Sequence, residues 1–275
     1  MNPLVLTEIW IYPIKSMGGI SLLSSPVKAK GLEYDRRYML VDAQGVFMTQ
    51  RKVPSLALFK PTMTTSGFLI SFKAGSITLP FAPEQSTQGL EVSIWDDRVM
   101  AFEVSDKVSK WFSERLKTTC KLVYFPEENT REVDRQYAGN GEQVSLADGY
   151  PFLIIGQSSL DALNSRMTET VPMNRFRPNF VFTGGEPFEE DGWKDFMIGK
   201  NRFTGVKPCG RCVLTTIDQD TARQGTEPLH TLSKFRKSGN SVQFGLNLVA
   251  VDFLEVNVGE KISTGSFPGA ATAYL

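Results

Sequence analysis

Apolar and polar residues alternate with a period of two through much of the first hundred positions, the spacing of half-buried strands. "LTEIWIYPIKS" (6–16) reads as a strand, and "RRYMLVDAQGVFMTQR" (36–51) as a hairpin turning at Asp42 to Gly45. "GFLISFKAGSITL" (67–79) reads as a second hairpin, and "EVSIWDDRVMAFEV" (91–104) as a third that turns at Asp96–Asp97. Short strands joined by tight turns predict a barrel or sandwich. The period then changes. In "SDKVSKWFSERLKT" (105–118), Ser105 or Asp106 can cap a helix whose Val108, Trp111, Phe112 and Leu116 share a face, which is expected to lie against the barrel.

A second region follows. "CKLVYFP" (120–126) is strand-like, and "EENTREVDRQYAGNGEQVSLADGYP" (127–151) is a polar loop of the length that is either disordered or functional. "FLIIGQSSLDALNSRM" predicts a buried strand and then a helix starting at Ser158 or Ser159, with Leu160, Leu163 and Met167 on one stripe. "NFVFTGG", "GVKPCGRCVLTTID" and "SVQFGLNLVAVDF" follow as strand material, with a late turn in "VNVGEKI". The expected organisation is two domains, 1–120 and 121–275, mainly β with a few helices (α+β).

Composition narrows the function classes. The 275 residues carry 30 Lys plus Arg and 30 Asp plus Glu, so no long-range field gathers nucleic acid or an anionic membrane, and any bound anion must be held locally. Three cysteines are too few for a disulfide scaffold and predict free thiols in a reducing compartment. The N-terminus lacks a basic n-region and no run of 18 uncharged apolar residues occurs; a cytoplasmic protein with no membrane span is the expectation. The single histidine, His230, excludes zinc sites that need two or three of them, and on a short amphipathic helix it reads as a surface residue.

The chemistry-bearing residues cluster. "KPCGRC" places Cys209 and Cys212 at C-x-x-C spacing, shared by redox pairs, half zinc sites and isolated thiolate ligands. The following "VLTT" favours a strand rather than the helix a thioredoxin-type pair needs, and only Cys120 and His230 remain to complete a zinc set. One working thiolate with a helper, or two buried thiols acting as small hydrophobes, are left open. In "MNRFRPNF", Arg175 and Arg177 are two apart before Pro178, so an extended chain would aim both guanidiniums at one anion; two surface salt bridges are the bland alternative. Lys15 and Ser16, where a strand runs into glycines, can converge on an anion as well. Of Arg36 and Arg37, which face opposite ways on a strand, one can look inward.

In this order, "IYPIKSMGGI", "GLEYDRRYMLVD", "FMTQR", "NRFRPNFVF", "KPCGRCVLTTID" and "FGLNLVA" resemble the MOSC-domain proteins, in the branch that includes the mitochondrial amidoxime-reducing component and bacterial YcbX-type relatives. The resemblance covers nearly the whole chain and implies an N-terminal β-barrel domain packed on a MOSC β-barrel domain. It implies a molybdenum cofactor, Mo-molybdopterin, with Cys212 as the catalytic metal ligand, a soft thiolate suited to that metal. It further implies that Lys15, Ser16, Arg36, Arg175, Arg177, Asn179 and the backbone at Gly210 hold the pterin and its phosphate. The family chemistry is reduction of N-hydroxylated compounds such as hydroxylaminopurines and amidoximes to amines. Longer bacterial relatives append a cysteine-rich ferredoxin domain, for which this sequence has no spare cysteines, and no G-x-G-x-x-G opens a helix after a strand. Electrons are therefore expected from a separate flavin or iron–sulfur donor protein. Asp148 or water is a candidate proton route. The competing class is a carrier that delivers the cofactor or its sulfur without turning over a small molecule; a third is a β-rich protein whose site has lapsed.

Overall fold

The computed structural model describes residues 3–73, 75–84 and 88–265. Its elements follow from the patterns above. Phe152–Gly156 is buried at every position, as a continuous apolar run requires when both faces of a strand are covered. Phe152 and Ile154 point into the larger core, while Leu153 and Ile155 point into a second core beneath the helices Gln157–Asn164 and Leu229–Phe235. Phe180 and Phe182 against Val181 repeat this division on the neighbouring strand Phe180–Thr183. These two strands run parallel, joined through the helix 157–164, and the other pairings of the sheet are antiparallel.

Among the described residues the largest sheet has nine strands. Its path runs Ile262–Thr264, Asp195–Ile198, Asn201–Arg211, Ser241–Ala250, Phe152–Gly156, Phe180–Thr183, Val5–Ile11 and Ile20–Leu22, with Lys237–Ser238 beside Ser241–Ala250. Smaller sheets build the barrel: Tyr38–Val41, Lys121–Tyr124, Asp97–Glu103 and Leu90–Ile94 in one, and Lys60–Met63, Gly67–Phe72 and Gly75–Pro80 in another. Among the named strands, pairing crosses residue 120 four times. Val5–Ile11 pairs with Phe180–Thr183, Lys121–Tyr124 with both Tyr38–Val41 and Asp97–Glu103, and Glu255–Asn257 with Ser24–Lys28. The two halves are therefore stitched by backbone hydrogen bonds.

The helix after the barrel spans Asp106–Leu116, with Ser105 Oγ accepting from Val108 N at 3.3 Å and Lys117 ending it at φ 54°. Val108 and Phe112 are buried, Trp111 and Leu116 partly so. Other expectations are corrected. The third hairpin turns at Trp95–Asp96, since Ile94 pairs with Asp97. The helix expected at Ser158 or Ser159 begins at Gln157, because Ser159 Oγ is engaged by buried Glu190 and by Phe188 N, and Met167 lies beyond its end. "VLTT" is a 3-10 turn, Val213–Thr216: Thr215 Oγ1 donates to Cys212 O at 3.0 Å and Thr216 Oγ1 to Val213 O at 2.8 Å, bonds that replace a ladder. No helix among the described residues is long and apolar enough to cross a membrane.

Candidate active-site cavity

A cavity of about 490 Å³ opens where the two halves meet. The starts of the strands 152–156 and 180–183 and the end of the strand 201–211 supply its walls from one half. The Lys15–Ser16 turn, Arg36 and the Trp95–Asp96 turn supply them from the other. Lys15, Ser16, Arg36, Arg177, Asn179, Gly210 and Cys212 all line it, and so do Cys209, Arg211 and Lys207. Its size is in the range of small-molecule and cofactor sites. Five cations against the two carboxylates Asp96 and Asp148 make its lining positive in a protein of zero net charge.

The cations are held in place from behind. Tyr12, buried beneath them, carries the Arg36 guanidinium 4.4 Å and the Arg177 guanidinium 4.2 Å from its ring centroid, and its Oη donates to Pro178 O at 3.0 Å. Burial pushes the Tyr12 phenol up, against the pull of the two arginines. Asp35, without solvent contact, pairs with Arg36 Nη1 at 2.5 Å and accepts from Tyr12 N at 2.7 Å. Asn179 completes the lattice: Oδ1 accepts from Arg36 Nη1 and Leu153 N, each at 3.2 Å, and Nδ2 donates to Asp35 Oδ2 and Trp10 O, each at 3.1 Å. With those four bonds made, Asn179 orients Arg36 rather than presenting a free amide. Arg177 donates to Met17 O and is lowered by burial to about 10, so it stays charged at neutral pH.

Ser16, Arg36 and Arg177 all have positive φ, 66°, 50° and 56°. With Trp95 at 55°, four non-glycine residues in this region around one cavity store strain of about 1 kcal/mol each, typical of a functional site. This geometry also parts the two arginines. The expected extended "RFR" is instead a 3-10 turn over Met173–Arg175 followed by left-handed Arg177. Arg177 enters the cavity. Arg175 turns away to Asp218 Oδ2 at 2.9 Å and does not line it; the shared-side geometry is corrected accordingly.

Lys15 is buried and donates to Leu146 O at 2.8 Å and Asp148 Oδ1 at 2.5 Å. Burial lowers it to about 8, although Asp148 opposes the shift. The Asp148 side chain is 61% exposed at the mouth. Partial desolvation raises its carboxyl, but Lys15 and the indole of Trp95 outweigh this and hold it well below the usual carboxylate range. Asp148 thus accepts hydrogen bonds and does not store a proton near neutrality. The long polar loop that delivers it is fixed by buried Arg131, which donates to the carbonyls of Ser145, Ala147 and Asp148 at 2.8, 2.6 and 3.3 Å. The end of that loop, Ala147 to Tyr150, lines the cavity.

The cysteines are unequal. Two bulges, at Gly205/Lys207 and Pro208/Gly210, re-aim the strand so that Cys209, Gly210, Arg211 and Cys212 all reach the cavity. Cys209 packs against the second core with Arg211 Nη1 2.9 Å from its sulfur. Cys212, which precedes the 3-10 turn, is exposed and its thiol carries no hydrogen bond. Cys120 is buried in the barrel beside Ser113, and His230 is exposed on its helix. Among the described residues no three His, Cys, Asp or Glu side chains gather into a metal cluster.

Two polar groups of the lining have no partner. The hydroxyl of Tyr150 and Nε of Arg211 are buried and unbonded. Sequence reasoning missed Tyr12, Asp35 and Tyr150, although each lies in a stretch quoted above: Tyr12 directly before Pro-Ile-Lys, Asp35 directly before Arg36, and Tyr150 at the end of the polar loop.

Comparison with known proteins agrees with this arrangement. The family model "MOSC N-terminal beta barrel domain" matches residues 4–119, and "MOSC domain" matches residues 141–263. The mouse mitochondrial amidoxime-reducing component 1 is 32% identical over 248 residues, 86% of this chain and 73% of that protein. This chain belongs to the MOSC-domain family. A zebrafish molybdenum cofactor sulfurase is 32% identical over 88% of this chain, which spans 31% of that longer protein. Among solved structures, the YuaD protein of Bacillus subtilis covers 94% of both chains at 8% identity with a TM-score of 0.40, too low to inform the site. The MOSC relatives are thus proteins named for amidoxime reduction and for the molybdenum cofactor, and a molybdenum-cofactor-related role follows for the family.

Proposed function

We propose that this MOSC protein binds the molybdenum cofactor in the cavity, with the Cys212 thiolate as its protein ligand to the metal, and reduces N-hydroxylated compounds to amines with electrons from a separate donor protein. The observation that carries the reading is the convergence of three pre-oriented cations, buried Lys15 and Arg177 and half-buried Arg36, and one exposed, unbonded thiol on a single cavity. The residues fit a ligand with an anionic end and a soft-metal end. Lys15, Arg36 and Arg177 would hold the anionic end, with Ser16 and the Gly210 backbone beside it; Arg175 would act only indirectly, through Asp218. The orphaned Tyr150 hydroxyl and Arg211 Nε are donors waiting for an acceptor that the protein does not supply.

When bound, the cofactor supplies the two electrons that, with two protons, convert N–OH into N–H and water. The chain's own residues supply position and charge. The positive lining tolerates a neutral N-hydroxy compound better than the protonated amidine that an amidoxime yields, which favours product release. Lys15, lowered by burial to about 8, can exchange its proton near neutrality, while the Asp148 carboxylate accepts its hydrogen bond at the mouth.

The test is the molybdenum-to-protein ratio of wild type, Cys212→Ser and Cys209→Ser from a host that makes the cofactor, with benzamidoxime reduction by an artificial donor. Near-stoichiometric metal lost or altered only in Cys212→Ser, together with turnover by wild type, is the expected result. Metal-free wild type would refute the site. Likeness to the cofactor sulfurases favours a second reading, sulfur or cofactor delivery; full loading without any reduction above free cofactor would select it.

A further inference from the structure

Resting on the reductase reading, we propose that Trp95 is a specificity-determining residue at the cavity mouth, selecting planar aromatic N-hydroxylated substrates by stacking on its indole. Trp95 is an unusual occupant of its position. With Asp96 it forms the two-residue turn between the strands Leu90–Ile94 and Asp97–Glu103. It takes φ 55° at the first turn position, where two-residue hairpin turns of positive φ ordinarily use glycine. Instead the chain places there its bulkiest type of side chain and leaves it 46% exposed. A strained, bulky and exposed residue at a turn that glycine would relax is a local rule broken beside a cavity, which points to function.

The surroundings say which function. Nε1 donates to Asp148 Oδ1 at 3.2 Å, the Arg51 guanidinium lies over the ring 4.1 Å from its centroid, and Phe47 meets it at 5.3 Å and 50°. Held at its nitrogen, over its ring and beside it, the indole is a fixed surface. Trp95 lines the cavity that also holds Cys212. A rigid aromatic wall costs little entropy on binding and favours flat π-systems over small aliphatic groups. The same Asp148 carboxylate that anchors the indole also pairs with Lys15, so the wall is set in register with the proposed anion site.

The experiment compares wild type with Trp95→Leu, Trp95→Gly and Trp95→Phe, each loaded in a cofactor-synthesising host. For each, kcat and KM are measured for benzamidoxime and for acetamidoxime with one artificial donor, alongside calorimetric affinity for both compounds, molybdenum content and thermal midpoint. The benzamidoxime-to-acetamidoxime ratio of kcat/KM, and of affinity, is expected to fall about tenfold in the Leu and Gly variants, chiefly through KM, and to stay within about twofold in the Phe variant. Trp95→Gly should keep its molybdenum and melt no lower than wild type, because glycine eases the turn. An unchanged ratio in Trp95→Leu and Trp95→Gly overturns the proposal. So does a Trp95→Gly protein that loses metal and melts lower, which would make the indole structural. If wild type turns over neither compound, the reductase reading fails on its own, and the affinity ratio still decides whether Trp95 selects planar ligands.

Discussion

Asn179 is where the site and the fold depend on the same atoms, and its substitution gives the sharpest test of the cavity's architecture. The residue is 1% exposed and makes four side-chain hydrogen bonds of 3.1 to 3.2 Å, to Arg36, Leu153, Asp35 and Trp10. Asn179→Ala removes all four: Arg36 Nη1 and Asp35 Oδ2 keep only each other, and Leu153 N and Trp10 O lose the amide in a buried place. At about 1 kcal/mol for each bond, the loss is expected to be roughly 3–5 kcal/mol, a large share of a domain stability of about 5–15 kcal/mol. Asn179→Asp keeps the shape but replaces a donor to Asp35 with an oxygen about 3 Å away, so two carboxylates share one buried site. The new carboxyl's folded pKa is then raised above its unfolded value of about 3.9. A group raised in this way contributes stability fully present below the unfolded pKa and lost as pH rises through the folded one. Asn179→Asp should therefore be much closer to wild type at pH 5 than at pH 7.5, whereas the Asn179→Ala deficit should change little between them. Urea denaturation of the three proteins at both pH values measures this. An Asn179→Ala cost below about 1 kcal/mol, or an Asn179→Asp deficit independent of pH, would refute the network as described.

Three further outcomes follow from the site. Lys15, lowered by burial to about 8, carries its charge below that pH and sheds it above, so sulfate affinity, read by calorimetry with an anion of constant charge, should fall several-fold between pH 7 and 9.5; in Lys15→Arg it should stay flat. The Tyr150 hydroxyl is buried without a partner, so Tyr150→Phe should be neutral or stabilising by up to about 1 kcal/mol in chemical denaturation, yet should lower molybdenum retention on dilution. Arg177→Ala should abolish or sharply reduce molybdenum content, while Arg175→Ala, which gives up a partly exposed pair with Asp218 worth roughly 0.5–1 kcal/mol, should retain it; equal loss in both would put Arg175 back in the site.

Local rules reached the elements whose cause is local. Ser105 caps its helix, Asp42 Oδ1 accepts from Gln44 N and Val46 N to close the first hairpin around Gly45, and the apolar run at 152–156 is buried on both faces because neighbours cover both. Lys15, Ser16, Arg36, Asn179, Gly210 and Cys212 were legible as a set because the quoted stretches contain them, and the fold brings them to one cavity. What local rules did not reach depends on partners far along the chain. Asp35 and Tyr12 look like an ordinary acid and a strand aromatic until Asn179 and Arg177 arrive from more than 140 positions away. The pairing of Val5–Ile11 with Phe180–Thr183 is equally invisible to periodicity, which reports which face is apolar and not which strand lies alongside.

Arg175 and Arg177 show why the exceptions gather at the site. An extended backbone projects residues two apart to the same side, and Pro178 disfavours a helical residue before it, so the pair read as one fork. The 3-10 turn through Arg175 and φ of 56° at Arg177 together defeat that inference, sending one guanidinium onto Tyr12 and leaving the other with Asp218. Ser16, Arg36 and Trp95 break the same rule around the same cavity. Sequence rules assume that each residue sits where its backbone is comfortable. Of the nine described non-glycine residues of positive φ, four line this one cavity, so a good share of that comfort is spent where side chains must converge.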